Sequence, residues 1–249
     1  MSGEVEAVAV VVPAHDEEET VEACVRSIIA AAHRCGLPVS VCVVADRCTD
    51  RTEHRARNLA GEFERFAVVS QSRPRSLGAV RDLGSRCAMA LLPPVRAERL
   101  WLLHTDADST VPATWIDDHL RHAFGGADAV AGRADVADYS AITARAQHRY
   151  QEHVRCGEGR FTHSHVYGAN LGVRADAFRA VGGFPDVSTG EDHGLWLSLV
   201  EHGAAVRQPN DVRVRTSGRT RGRAPGGLAD LLRTLACDEA MLSSGAPPE

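Results

Sequence analysis

Leu100-Trp101-Leu102-Leu103-His104-Thr105-Asp106-Ala107-Asp108 is an apolar run that ends in two carboxylates. A short apolar run bounded by polar residues reads as a buried strand of a parallel sheet. The carboxyl ends of such strands are where open α/β sheets bind their ligands. Asp106 and Asp108 are two residues apart, so in extended chain their side chains leave on the same side and can share one cation. Hard divalent cations such as Mg²⁺ are held by one or two carboxylates, with phosphate oxygens and water completing the shell. The stretch therefore reads as a metal–diphosphate site. The alternative, a solvated Asp-x-Asp turn, leaves the buried strand before it unexplained.

Upstream, strands and helices alternate. Ala7 to Val12 is a β-branched-rich run stopped by Pro13. Val21, Cys24, Val25, Ile28, Ile29 and Ala32 then mark one apolar helical face. Glu17, Glu18 and Glu19 lie near its amino end, where the helix dipole favours negative charge. Val39 to Val44 is a second strand, and a second helix is expected near Thr49-Asp50, both good cap residues. Phe66 to Val69 is a third strand, and Leu77 to Leu92 a helix ended by Pro93-Pro94. Such alternation gives right-handed crossovers and a sheet with helices on both faces.

Downstream the pattern loosens. A strand interrupted at Gly132 is expected over Ala127 to Val136, and a helix over Ala141 to Val154. Gly168 to Arg174 reads as a strand, Ala175 to Val181 as a short helix ended by Gly182-Gly183, and Leu195 to Val200 as part of another. Extended chain is expected from Val206 to Val214, a basic glycine-rich loop from Arg215 to Gly227, and a last helix from Leu228 to about Met241. No internal repeat or long linker divides the chain. It reads as one α/β domain over residues 4–242, with a frayed tail over 243–249.

Composition bounds the function. The chain has 249 residues, 44% of them apolar, and a formal net charge of −5, which argues against a general nucleic-acid binder. No stretch approaches a membrane-spanning run, and the amino terminus lacks the basic-then-apolar pattern of a secretory signal. Seven scattered cysteines without a Cys-x-x-Cys pair fit reduced, mostly buried thiols. The expected location is the cytoplasm. No glycine-rich dinucleotide or P-loop signature follows a strand, so NAD-binding and P-loop readings lack support.

Five segments, in order, resemble the family 2 glycosyltransferases of the GT-A fold. They are Val11-Val12-Pro13-Ala14-His15-Asp16-Glu17-Glu18; Val43-Val44-Ala45-Asp46-Arg47-Cys48-Thr49-Asp50; Gly78-Ala79-Val80-Arg81-Asp82; Asp106-Ala107-Asp108; and Gly168-Ala169-Asn170 with Gly182-Gly183-Phe184 and Gly190-Glu191-Asp192. The resemblance covers about residues 7 to 200. It implies a mostly parallel central sheet with helices on both faces, a nucleotide-binding half over about 4–110 and an acceptor-binding half over about 111–242, and transfer of a sugar from a nucleotide diphosphate to a hydroxyl acceptor. It further implies a Mg²⁺ or Mn²⁺ cofactor on Asp108 and Asp106. Pro13, Ala14, His15 and Glu17 are then expected near the nucleoside. Asp46 would accept a base N–H, with a UDP-sugar favoured and a GDP-sugar as the other donor. The competing reading of Asp46, Thr49 and Asp50 is a helix cap.

Gly78 lets a ligand approach the backbone, and the Arg81 guanidinium suits a diphosphate or a carboxylate beside it. The alternative for Arg81 is a surface pair with Asp82. By resemblance to inverting members, Asp192, with Glu191 beside it, is the general base for the acceptor hydroxyl. On local pattern alone the two acids are an acidic first helical turn. A retaining outcome on the same fold and a non-catalytic nucleotide-sugar-binding protein stand as alternatives.

His104 is expected to pack locally. His163 and His165, two apart, have metal-ligand spacing but lack a completing set, and His193 could touch acceptor or metal. Arg215, Arg219, Arg221 and Arg223, interleaved with glycines, read as a lid over the diphosphate, with Arg219 in the donor site, or as a solvated loop. The Q-x-x-R-W motif and membrane helices of processive members are absent from the sequence. The oligomeric state stays open, a homodimer included.

Overall fold

The computed structural model describes residues 4–157, 159–222 and 227–243, with side chains to 237. Arg223 and Gly226 of the basic loop, and residues 244–249 of the tail, lie outside the described residues. The amino-terminal half alternates as its periodicity dictates: β1 (Ala7–Ala14), α1 (Val21–Arg34), β2 (Val39–Asp46), α2 (Thr52–Asn58), β3 (Phe66–Gln71), α3 (Leu77–Ala90) and β4 (Leu100–His104). Then come β5 (Ser109–Thr110), α4 (Trp115–Phe124), β6 (Ala129–Ala131), β7 (Arg133–Val136), α5 (Ala144–Cys156), β8 (Leu171–Arg174), α6 (Ala175–Ala180), α7 (Glu191–Glu201), β9 (Val206–Arg207), β10 (Arg213–Thr216) and α8 (Leu228–Ser243).

The main sheet runs in the order β3-β2-β1-β4-β8-β6-β9. β3, β2, β1 and β4 are parallel, whereas β8 is antiparallel to both of its neighbours. Side chains alternate along the buried strands and so feed two cores. Val8, Val10, Val12, Trp101 and Leu103 meet α1, α2 and α4 on one face. Ala7, Ala9, Val11, Leu100 and Leu102 meet α3, α6 and α7 on the other. The chain steps outward from β1 to β3 and then returns to place β4 on the other side of β1. The carboxyl ends of β1 and β4 therefore flank a topological switch point, the place where open α/β sheets form a crevice.

The single interrupted strand expected over Ala127 to Val136 is two strands in two sheets. β6 lies in the main sheet, while β7 joins a second, three-stranded sheet of order β5-β10-β7. Gly132 is the break between them. Asn170 holds this branch together from a one-turn 3-10 helix, Gly168–Asn170. Its Oδ1 accepts from Trp115 Nε1–H at 2.9 Å and lies 2.9 Å from His119 Nε2. Its Nδ2 donates to the carbonyls of Arg133 and Val212 at 2.8 and 3.1 Å. Asn170 is fully buried, so replacement by leucine strands several polar groups at once. Asn170→Leu should cost about 2–4 kcal/mol of unfolding free energy in urea titrations; a cost below about 1 kcal/mol would mean that water satisfies those groups.

His104 packs as expected, buried between Phe184 (ring centroids 4.8 Å apart) and Phe178 (6.3 Å), with no hydrogen-bond partner for either ring nitrogen among the described residues. Burial, reinforced by the Arg81 charge, holds its pKa well below the ordinary histidine value. Burial also lowers His119, to about 4. Both rings are neutral in the folded protein and take up protons on unfolding as pH falls below 6.5. Their shifts therefore remove stability as pH falls below 6.5, for His119 by about 3 kcal/mol between pH 6.5 and 4. Stability measured in urea should fall over that range by less than the histidines alone would give, because the raised carboxyl of Asp108 gains stability over the same interval. His104→Leu should flatten the dependence by up to about 1.4 kcal/mol per pH unit; an unchanged slope would contradict the assignment.

Among the described residues no helix is long and apolar enough to cross a membrane. All seven cysteines are free thiols; Cys24, Cys35 and Cys42 are buried, but Cys156 and Cys237 are exposed.

Candidate active site

At the carboxyl ends of β1, β2 and β4 a cavity of about 390 Å³ opens, a size suited to a small ligand. Pro13, Ala14, His15, Glu17 and Asp46 line it on one side, and Asp106, Ala107 and Asp108 form the part that follows β4. Thr216, Ser217 and Arg219 close it from the chain leaving β10, and Ser188 from the loop before α7.

The nucleoside-side residues are fixed by short loops. His15 Nδ1 lies 2.6 Å from the Asp46 carbonyl, which can only accept, so the ring proton sits on Nδ1. The Asp46 carboxylate is buried and pairs with Arg47 at 3.0 Å. Asp16 and Arg47 adopt the left-handed conformation, with φ of 52° and 48°. Asp16 accepts from the Thr49 N–H at 2.6 Å and the Asp50 N–H at 3.3 Å, locking the loop after β1 to the loop after β2. The helix expected to begin near Thr49-Asp50 starts just after them, and of the two expected caps Asp50 serves it while Thr49 does not. Thr49 is engaged by Asp16, and α2 begins at Thr52, whose N–H donates to Asp50 Oδ1 at 2.9 Å.

Arg81 is buried beneath the cavity wall, 1% exposed, and does not line the opening. It does not pair with Asp82. Nη2 donates to Asp106 Oδ1 at 2.7 Å and Nε to Glu191 Oε1 at 3.0 Å. Burial opposes its charge, but Asp106 and Glu191 outweigh that and hold its pKa above the ordinary arginine value. The direct diphosphate contact expected of Arg81 gives way to the other half of that expectation, a guanidinium orienting a carboxylate. Gly78 is likewise off the cavity lining; a Cβ there would strike the backbone carbonyl of Pro185, so its smallness serves packing of α3 against that loop.

α7 starts after Gly190, whose φ is 75°, and puts Glu191 and Asp192 in its first turn. They differ sharply. Glu191 is buried against Arg81; burial raises its pKa, and Arg81 opposes this. Its carboxylate is taken up by Arg81 and does not line the cavity, where a catalytic contact was expected of it. Asp192 Oδ2 accepts from the Gly168 N–H at 2.7 Å, while Oδ1 accepts from the His193 N–H at 2.7 Å. His193 Nδ1 stands 3.1 Å from the same oxygen. Burial raises the Asp192 pKa, but the His193 contacts and Arg81 more than offset it, and the carboxyl lies below its ordinary value. A Cβ on Gly168 would collide with the Arg81 guanidinium, so this glycine lets the acid turn and the arginine share one space.

The metal-candidate pair is unevenly provided for. Asp106 is held by Arg81. Asp108 stands 3.0 Å from Arg219 Nη2, and the Thr216 hydroxyl is 3.4 Å from its other oxygen. Arg219 also grips Glu17 with both terminal nitrogens, at 2.7 and 2.6 Å. Burial and the neighbouring Asp106 push the Asp108 pKa up to about 6, with Arg219 working in the opposite direction. An all-oxygen set under electrostatic load of this kind is the donor chemistry that Mg²⁺ or Mn²⁺ takes.

Among the described residues His163 and His165 belong to no metal-ligating group; their rings stack 6.0 Å apart. The basic loop is smaller than expected, because Arg215 and Thr216 belong to β10. Arg47, Arg75, Ser76 and Thr216 line the cavity without having been singled out in the sequence. For Arg75 and Ser76 the available signal was their place between the end of β3 and the start of α3, at the same sheet edge.

A search of curated protein sequences gives no significant match. Solved structures match over nearly the whole chain at low identity. A mannosyltransferase, PcManGT, from Pyrobaculum calidifontis, in complex with GDP-Man and Mn²⁺, is 16% identical over 99% of this chain and 77% of its own, with a TM-score of 0.63. S. aureus TarS 1-349, in complex with UDP-GlcNAc, is 12% identical over 97% and 68%, with a TM-score of 0.63. Glucosyl-3-phosphoglycerate synthase from Mycobacterium tuberculosis, in complex with Mn²⁺, UDP and glucosyl-3-phosphoglycerate, is 18% identical over 99% and 82%, with a TM-score of 0.56. These likenesses establish the GT-A fold. The family model for Glycosyl transferase family 2 matches residues 9–182. The chain belongs to glycosyl transferase family 2.

Proposed function

We propose that this chain moves a sugar from a nucleoside-diphosphate donor to a hydroxyl acceptor, with inversion at the anomeric carbon and Asp192 as general base. The observation that carries the reading is the gathering of Asp46, Asp106 and Asp108 around one cavity at the switch point, with Arg81 linking Asp106 to the acid turn of α7. Asp46 accepts an N–H from the base, and the chain at Pro13, Ala14 and His15 faces the nucleoside. Asp108 and Asp106 hold a divalent cation, and Arg219 and Glu17 complete the donor side.

When bound, Mg²⁺ or Mn²⁺ offsets the charge that develops on the departing diphosphate. Asp192, ionised at neutral pH, receives the proton of the attacking hydroxyl. Glu191 acts through Arg81 and is a positioning residue. UDP is the favoured nucleotide and GDP the other; solved relatives of this fold carry either one. A cytoplasmic location fits nucleotide-sugar use.

Thermal unfolding of the protein with Mn²⁺ and a panel of UDP- and GDP-sugars tests the reading, because a ligand that binds the folded state raises the melting temperature by mass action. A shift for one donor with Mn²⁺, absent with chelator, is expected. No shift for any nucleotide sugar would overturn the proposal. The anomeric configuration of the product by NMR separates inversion from retention, and binding without transfer to any acceptor would favour the non-catalytic alternative.

A further inference from the structure

Arg219 occupies an unusual electrostatic position. Its guanidinium makes a two-pronged bond to Glu17, which is buried, and stands 3.0 Å from the Asp108 carboxylate. Asp106, Asp108 and Glu17 all line the cavity, and Arg219 lies between the last two. Arg81 serves Asp106 from below, leaving Arg219 as the cation that serves both Glu17 and Asp108. It comes from the segment after β10, far from both partners in sequence, so its place depends on that segment lying over the cavity.

We infer that Arg219 is an internal counter-ion whose exchange couples divalent-metal binding to the nucleotide diphosphate. The inference rests on the donor-site reading above. A cation arriving on Asp108 meets a positive charge already engaged with that carboxylate, so the metal alone binds against Arg219. A diphosphate offers Arg219 a replacement partner of the kind its planar fork suits, two oxygens in one plane. With the guanidinium turned toward the diphosphate, the charge opposing the metal is drawn off Asp108. Metal and diphosphate therefore bind with positive coupling, and by linkage each raises the affinity of the other by the same factor. A nucleoside offers no such exchange and gives no coupling. Glu17 is a positioning residue that keeps Arg219 over the site between ligands.

Mn²⁺ affinity, read by the EPR signal of free Mn²⁺, tests this with the full chain, alone and with saturating UDP, GDP or uridine. In the unaltered protein UDP or GDP should tighten Mn²⁺ binding by about 5–150-fold, the usual span of coupling between sites, and uridine should leave it unchanged. Arg219→Gln should strengthen binding of Mn²⁺ alone by about fivefold or more and so shrink the coupling factor to the part that phosphate oxygens on the cation supply by themselves. Arg219→Lys keeps the charge but loses the fork, so Mn²⁺ alone should bind near its original affinity with coupling reduced. Unchanged or weaker binding of Mn²⁺ alone in Arg219→Gln would overturn the exchange while leaving the donor site standing. Absence of Mn²⁺ binding to the unaltered protein, with or without UDP or GDP, would overturn both. Thermal unfolding of each variant guards against a trivial loss of fold.

Discussion

Replacing Asp192 with asparagine should slow turnover by a factor on the order of 10²–10⁴, the range that general acid–base catalysis supplies, while donor affinity stays in place. The substitution keeps the size of the side chain and removes its capacity to take a proton. Asp192 holds its negative charge well: the His193 contacts and Arg81 outweigh the burial that would otherwise raise its pKa. It is therefore ionised throughout the neutral range, and its titration should not limit the rate there. Its partner in the turn cannot substitute for it, because the Glu191 carboxylate is buried and bound to Arg81; neither acid lines the donor cavity, so the proposed base serves an acceptor beside it. One complication is built into the geometry. Both Asp192 oxygens accept N–H bonds, from Gly168 and His193, so the new amide faces one donor with another. Thermal unfolding measured beside the kinetics accounts for that loss. Single-turnover rates and donor affinity by calorimetry are the deciding pair; an equal fall in both would make Asp192 a structural or donor-side residue.

The parts of the fold written in local pattern were legible. A β-branched run such as Ala7 to Val12 can bury both faces only inside a covered sheet, and that is where it lies. The strand that ends in Asp106 and Asp108 was readable for the same reason, since its run is apolar and its exit is charged. The helix of Val21, Ile28 and Ile29 was legible because one face carries all its apolar residues. What could not be read is what depends on distant partners. Extended chain from Ala127 to Val136 has one composition, yet Gly132 divides it between two sheets, and the split is held by the distant Asn170, which bonds Trp115 and the carbonyls of Arg133 and Val212. Arg81 and Glu191 are 110 residues apart, and Arg219 and Glu17 are 202 apart. No periodicity encodes such pairs. A glycine-flanked arginine announces that something anionic is near, without saying whether it is a phosphate or a carboxylate of the same chain.

Asp108→Asn should have two opposite effects. Metal-dependent nucleotide binding should fall more than about 100-fold, beyond what loss of an outer-shell partner of a metal ligand costs, because the residue is proposed as the chief ligand of the cation. The metal-free protein should at the same time become more stable at neutral pH. Burial and the proximity of Asp106 and Glu17 raise the Asp108 pKa to about 6 from an ordinary 3.8, even with Arg219 at 3.0 Å. The folded protein thus binds this proton more tightly than the unfolded chain does. Stability from that proton is fully present below pH 3.8, is lost as pH rises through 6, and leaves the ionised side chain as a cost of about 2–3 kcal/mol above it. A neutral amide escapes the cost, so Asp108→Asn should raise the unfolding free energy at pH 7.5, and the gain should shrink toward zero at pH 4. Urea unfolding at the two pH values, in the presence of chelator, reads the stability, and calorimetry with Mn²⁺ and UDP or GDP reads the binding. Stability and binding lost together would indicate that Asp108 supports the fold through Arg219 and Thr216. Stability gained while binding is lost is the signature of a carboxylate kept under strain for the sake of a cation.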